Sequence, residues 1–197
     1  MKPQNPIQLK RRREVSNEHA QRFIAHLQAL KEKDRGALAT LRHSLAFDPG
    51  AYPKAYPYVE RFVSAGAHER DARRLALYAV AGLYARHPKI SEQSFAAAFG
   101  EVFRKRDSDS LEKRFITLLA ADAENVHDYL RQAISLLAAE NIGCDYASLL
   151  DDLSQWMNRY ADVERLDRLR QRWARDFYRA IASESEVPSE PETLTTE

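Results

Sequence analysis

Cysteine is almost missing from this sequence, with Cys144 standing alone among 197 residues. One thiol excludes an internal disulfide framework, a Cys-rich zinc site and an iron–sulfur cluster. It suits a reducing cytosol, and the expected location is cytoplasmic. The six glycines (36, 50, 66, 82, 100 and 143) are scattered, and none belongs to a phosphate-cradling loop or a dinucleotide fingerprint. No apolar run approaches the roughly 18 residues of a membrane span, and the polar, basic start has no apolar centre of a secretory signal. No segment alternates apolar and polar residues long enough to make a strand.

Charge of one sign is also lacking overall, since 30 Lys and Arg meet 29 Asp and Glu for a net +1. The balance is uneven along the chain. Residues 183–197 hold five glutamates and no cation, which leaves 30 basic against 24 acidic residues, a net +6, for residues 1–182. Lys2, Lys10, Arg11, Arg12 and Arg13 supply five of those charges. Any basic surface on the folded part must therefore come from sorting charges onto faces. Residues 1–15 are expected as a basic flexible tail, residues 183–197 as an acidic disordered one, and residues 16–182 as the folded domain.

What the sequence has in plenty is helical periodicity. Phe23, Leu27 and Leu30 step by four and three, and Asp34 can cap a helix striped by Leu38, Leu41 and Leu45. Asp48-Pro49-Gly50, Pro53 and Pro57 mark the one long irregular connection, with a short helix through Tyr58 and Phe62. Residues 69–86 form an Ala- and Leu-rich helix with Leu75, Tyr78 and Ala79 on one side, ended by His87-Pro88. Ser91 opens a helix carrying Phe95, Phe99 and Val102, and Ser108 or Ser110 the next, with Leu111, Phe115 and Leu118 inward. Val126, Leu130, Ile134 and Leu137 stripe another. Asp145 caps one running through Leu149, Leu153 and Trp156 to Tyr160, and the last runs from about Asp162 with Val163, Leu166, Leu169, Trp173, Phe177 and Ile181 buried. The pattern predicts an all-α bundle of eight or nine short helices.

Catalytic groupings are not evident. His19 and His26 share a face of the first helix and read as solvated polar residues. His127-Asp128 has the dipeptide of metal-dependent phosphohydrolases, but lies mid-helix without the flanking histidines such a site needs. Asp122/Glu124 reads as helix-start charge and Asp151/Asp152 as a solvated face beside the Asp145 cap. No Gly-x-Ser-x-Gly elbow occurs. The expectation is a protein without catalysis, cofactor or metal.

Cations, by contrast, are sorted. Arg35 and Arg42 lie seven residues apart on one helix face, roughly 10 Å along its axis, with His43 beside Arg42. Arg104, Lys105 and Arg106 close one helix while Lys113 and Arg114 open the next, and Arg131 follows on its neighbour. Arg165, Arg168, Arg172, Arg175 and Arg179 line the last helix among Glu164, Asp167 and Asp176, and read as a solvated, ion-paired face. Guanidinium groups so placed grip phosphates without reading base sequence, because backbone contacts position but do not specify. The same faces could instead bind acidic protein partners, so a nucleic-acid-free interaction scaffold is the alternative.

Five segments taken in order then resemble one family: Asp34-Arg35-Gly36-Ala37 to Leu41-Arg42; Ser110 to Phe115 and on to Asp122; Leu130-Arg131; Asp145-Tyr146 to Trp156; and Trp173 to Tyr178. Together they are similar to the CasB family, the small subunit of the type I-E CRISPR surveillance complex called Cascade. The likeness covers about residues 20–180 and rests on order and spacing, not on any single motif. The resemblance implies an all-α, non-catalytic subunit that stabilises the opened target, where guide RNA pairs with one DNA strand and the other is displaced. The partners it implies are CRISPR RNA, target DNA backbone, a second copy of the chain, and the backbone and large subunits of Cascade, with no membrane and no small-molecule substrate. Arg42, Lys113, Arg114 and Arg131 match positions of the family's basic patch, while Arg35 and Arg104 join from spacing alone. His43 stands where relatives often carry a second arginine.

Overall fold

Acidic and hydroxyl side chains open several of the helices. The computed structural model describes the backbone of residues 6–182 and the side chains of residues 16–182. Nine α-helices occur among these: α1 (Pro6–Lys33), α2 (Arg35–His43), α3 (Tyr56–Val59), α4 (Ala72–Arg86), α5 (Phe95–Arg106), α6 (Asp109–Leu119), α7 (Val126–Ala139), α8 (Tyr146–Trp156) and α9 (Val163–Ala182). Asp34 accepts from Ala37 N at the start of α2, Asp71 from Arg73 N and Arg74 N at α4, and Asp145 from Ala147 N and Ser148 N at α8. Each satisfies main-chain donors that the first turn leaves open. Extended pairing among the described residues is limited to an isolated bridge between Ile90 and Cys144.

Several boundaries differ from the sequence expectation. α1 begins at Pro6, so the backbone of residues 6–15 is helical where the sequence suggests a tail; proline suits a first helical position, where its missing N–H costs no bond. Residues 1–5 and the acidic segment 183–197 lie outside the described residues. The cap of α5 is Ser94, whose hydroxyl accepts from Ala97 N, not Ser91. α8 stops at Trp156, leaving Tyr160 exposed beyond it, and Val163 at the start of α9 is exposed too.

α4 is the axis of the core. Its sequence pattern suggests one buried side, yet every residue from Ala76 to Ala85 is buried. Its small Ala and Gly positions let α2, α7 and α8 crowd around it. Gly82 is required there, because a Cβ would lie 2.7 Å from Leu45 Cδ2 and 3.3 Å from the Leu41 carbonyl. The connection from α2 to α4 is held down by Glu60, which accepts from Arg74 Nη2 at 2.7 Å and from the Tyr78 hydroxyl at 2.6 Å. His19 and His26, expected in solvent, tie α1 to the same connection through the Phe62 and Tyr58 carbonyls, at 3.0 and 2.9 Å.

α9 lies along α5 and completes the second half of the core. Gly100 allows the approach, since a Cβ would sit 2.6 Å from the Phe177 carbonyl oxygen. Phe177 stacks on Phe115 with centroids 4.0 Å apart, and Phe99 and Phe103 close around it. Asp152 is the other clamp. The sequence suggests a solvated face there, but Asp152 is buried and accepts from Trp173 Nε1 at 2.7 Å and from Arg172. Its neighbour Asp151 accepts from Ser16 on α1 at 2.6 Å. Burial pushes the Asp152 carboxyl upward, while Arg172 and the indole N–H hold it down against that trend. No helix among the described residues is long and apolar enough to cross a membrane.

Candidate nucleic-acid interface

α2 directs its cations outward because its stripe points the other way. Leu38 and Leu41 are buried against α4, which leaves Arg35 and Arg42 exposed at the two ends of the helix. Arg42 Nε donates to the Ala85 carbonyl at the end of α4, 3.0 Å away. One residue on, Arg86 Nε donates to Ser135 Oγ of α7 at 3.2 Å. One turn earlier on α7, Arg131 Nη1 donates to the Leu45 carbonyl just beyond α2, at 2.8 Å. Arg42, Arg86 and Arg131 thus meet where α2, α4 and α7 come together.

The acceptors matter as much as the cations. Main-chain carbonyls and a hydroxyl fix these guanidiniums without neutralising them. A carboxylate does approach the group at Asp128, 3.5 Å from Arg131 Nη2. Beside it His127 is buried, and that burial pushes its imidazole below the usual value, with Arg131 adding to the effect and Asp128 opposing it. Aromatic rings border the group: His43 packs on Phe47 and Tyr52, and Phe47 stacks on Tyr52 with centroids 4.8 Å apart while staying 42% exposed.

The remaining expected site residues fall elsewhere. Lys113 and Arg114 are exposed on α6 and, among the described residues, form no ion pair. They line a cavity of about 170 Å³ with Tyr129, Gln132 and Leu136 of α7. α7 therefore stands between the two sets, with Arg131 turned toward α2 and Tyr129 toward α6. Arg104 donates to the Ala180 carbonyl near the end of α9, at 3.3 Å, and so takes part in the α5–α9 packing. Its neighbours Lys105 and Arg106 pair with Glu101 and Glu140, at 3.3 and 2.6 Å. The five cations of residues 104–114 are thereby divided, and Lys113 and Arg114 are the pair that stands clear of the α5–α9 packing and of carboxylates. The basic run at residues 10–13 lies on α1, where side chains are outside the described residues.

Arg86 is absent from the set that the sequence points to. Nothing in the sequence links the end of α4 to Ser135, because that hydrogen bond spans 49 residues and arises only from tertiary packing. Among the described residues no group of three or more His, Cys, Asp or Glu side chains is placed to hold a metal ion. Burial pushes the Cys144 thiol up to about 12, which leaves it protonated and a poor nucleophile near neutral pH.

Fold and site together define an all-α protein whose arginines collect at helix junctions. A family model for the CRISPR-associated protein Cse2 matches residues 37–178. The Cse2 protein of Thermus thermophilus is 40% identical over 176 residues, covering 87% of this chain and 97% of the relative. The crystal structure of CasB from Thermus thermophilus superposes with a TM-score of 0.67 at 40% identity, over 81% of this chain and 97% of that one. This chain belongs to the Cse2 family of CRISPR-associated proteins, also called CasB. A chain from a solved CRISPR RNA-guided surveillance complex shares the fold at 20% identity, with a TM-score of 0.72 over 85% of this chain and 96% of that one.

Proposed function

We propose that this protein is the non-catalytic small subunit of a type I-E Cascade complex, which grips the sugar–phosphate backbone of the opened target. The observation that carries this reading is the meeting of Arg42, Arg86 and Arg131 at one helix junction, where Arg42 and Arg86 lean on neutral acceptors and keep their charge available, while Arg131 is shared between a carbonyl and Asp128. Lys113 and Arg114 add a second cationic edge on the far flank of α7. Arg35 extends the first group along α2, and Arg104 contributes at the end of α5.

Exchange of a DNA duplex for a guide–target heteroduplex is nearly balanced in base-pairing energy, so protein binding to the backbone can tip it. Cations that hold the displaced strand stabilise the R-loop only after opening, which turns a weak attraction into a bias toward the open state. The partners proposed are CRISPR RNA, target DNA, a second copy of the chain, and the backbone and large subunits of the complex, in the cytoplasm.

The test is target binding by complexes reconstituted with Arg42→Ala or Arg114→Ala, measured against salt. Affinity is expected to fall, with the logarithmic salt slope shallower by about 0.7–0.9 for each phosphate no longer neutralised. Unchanged affinity and slope in both variants would refute the site. If neither single- nor double-stranded DNA binds at low salt, the arginine faces serve acidic protein partners instead.

A further inference from the structure

The cavity between α6 and α7 has a composition that simple charge attraction does not call for. Phe99, Leu118, Ala133 and Leu136 give it an apolar floor, Tyr129 a half-buried aromatic wall and Gln132 an exposed amide at the rim. Among the described residues the Tyr129 hydroxyl and the Gln132 amide make no hydrogen bond, so both polar groups are open to a ligand. Lys113 and Arg114 stand at the same rim without acidic partners. The volume, about 170 Å³, exceeds the roughly 150 Å³ of an apolar cavity that takes up a benzene ring.

We infer that this cavity receives the base of an unpaired nucleotide whose flanking phosphates lie on Lys113 and Arg114. The inference rests on the phosphate-binding reading above and adds a ligand group to it. A nucleobase offers a flat apolar face for Tyr129 and the apolar floor, and a polar edge for Gln132, whose amide both donates and accepts. Because that amide suits either kind of edge, the site takes bases of any identity. A base in a duplex has its faces stacked and its edge paired, so it must leave the helix to enter. The cavity therefore distinguishes an unpaired strand from a paired one, which Lys113 and Arg114 alone do not.

The experiment uses the full chain and fluorescently labelled strands of equal length at low salt. One strand is ordinary single-stranded DNA, one carries abasic sites throughout, and one is RNA of the same sequence. The intact DNA or RNA strand is expected to bind about tenfold or more tightly than the abasic strand. A preference confined to DNA or to RNA supports the pocket and assigns its strand. Ala133→Leu, which fills the cavity from α7, is expected to bring intact and abasic strands within about twofold, through weaker binding of the intact strand. Tyr129→Ala, at the half-buried wall, repeats the test without overfilling the packed floor. Equal binding of intact and abasic strands by the unaltered protein, or full retention of the preference in both variants, overturns the base pocket while leaving phosphate binding intact. Failure of every strand to bind overturns both.

Discussion

Arginine is plentiful on α9 and at the α2–α4–α7 junction, yet the two regions hold it differently. On α9, Arg168 pairs with Glu164 at 3.6 Å, Arg170 with Asp167 at 3.6 Å and Arg172 with Asp152. Arg170 also donates to the Ala121 carbonyl and lies over the Trp156 ring. These arginines are structural, and much of their charge is cancelled within a few ångströms. At the junction, Arg42 donates to a carbonyl and Arg86 to a hydroxyl, so their orientation is fixed while their charge is kept, and only Arg131 divides itself between a carbonyl and a carboxylate, that of Asp128. Counting arginines along a helix therefore says little about affinity for an anion. What each guanidinium leans on decides it.

The largest effect is expected at the base of α9. Phe177→Ala removes the ring stacked between α5 and α6, and should cost about 3–5 kcal/mol by urea unfolding. Asp152→Asn should cost less, about 1–3 kcal/mol, since it weakens the acceptor for the buried Trp173 N–H while Arg172 stays half in solvent. If Asp152 serves α9 packing only, DNA affinity measured below the unfolding transition stays at the level of the unaltered protein.

Charge separates the two regions more directly. Arg86→Ala is expected to weaken DNA binding and reduce the salt slope by about 0.7–0.9, with a stability change of about 1 kcal/mol for the missing bond to Ser135. Arg168→Ala, on the ion-paired face, should alter neither affinity nor slope. Equal effects of the two substitutions in a salt titration would erase the distinction between the regions.

The smallest effect concerns pH. His127 has a folded-state pKa below its ordinary 6.5, so the unfolded chain takes up its proton first as pH falls. Its contribution to stability is complete above pH 6.5 and is lost as pH drops through the folded value. His26 shifts in the same direction, chiefly through burial, and acts alike. Unfolding free energies measured from pH 7 down to pH 5 should therefore decline, and His127→Gln should flatten part of the slope.

The helices are legible in the sequence because their signals are local. Asp34 and Asp145 cap within three residues of themselves, and the leucine stripes of α2, α6 and α7 need no knowledge of what they pack against. The residues that mislead depend on distant partners. Asp152 reads as surface until Trp173 covers it, and His19 and His26 read as solvated until the Phe62 and Tyr58 carbonyls arrive from beyond α2. α4 looks one-sided because a pattern of small residues does not announce that helices will surround it. For the candidate site, Arg42 and Arg131 follow from the resemblance to relatives, but Arg86 and the division of cations by α7 emerge only from the three-dimensional arrangement.

Arg42 and Arg131 are moored to the peptide groups of Ala85 and Leu45, and a peptide oxygen is present whatever residue occupies the position. These two anchors can outlast changes of the side chains that bear them, provided the neighbouring turns keep their shape. Comparisons of correlated exchange between relatives would accordingly find no partner side chain for Arg42, and for Arg131 only Asp128, the one place where a compensating charge swap has something to act on. The junction is tuned by backbone position, which makes it durable under sequence drift and hard to detect from drift alone.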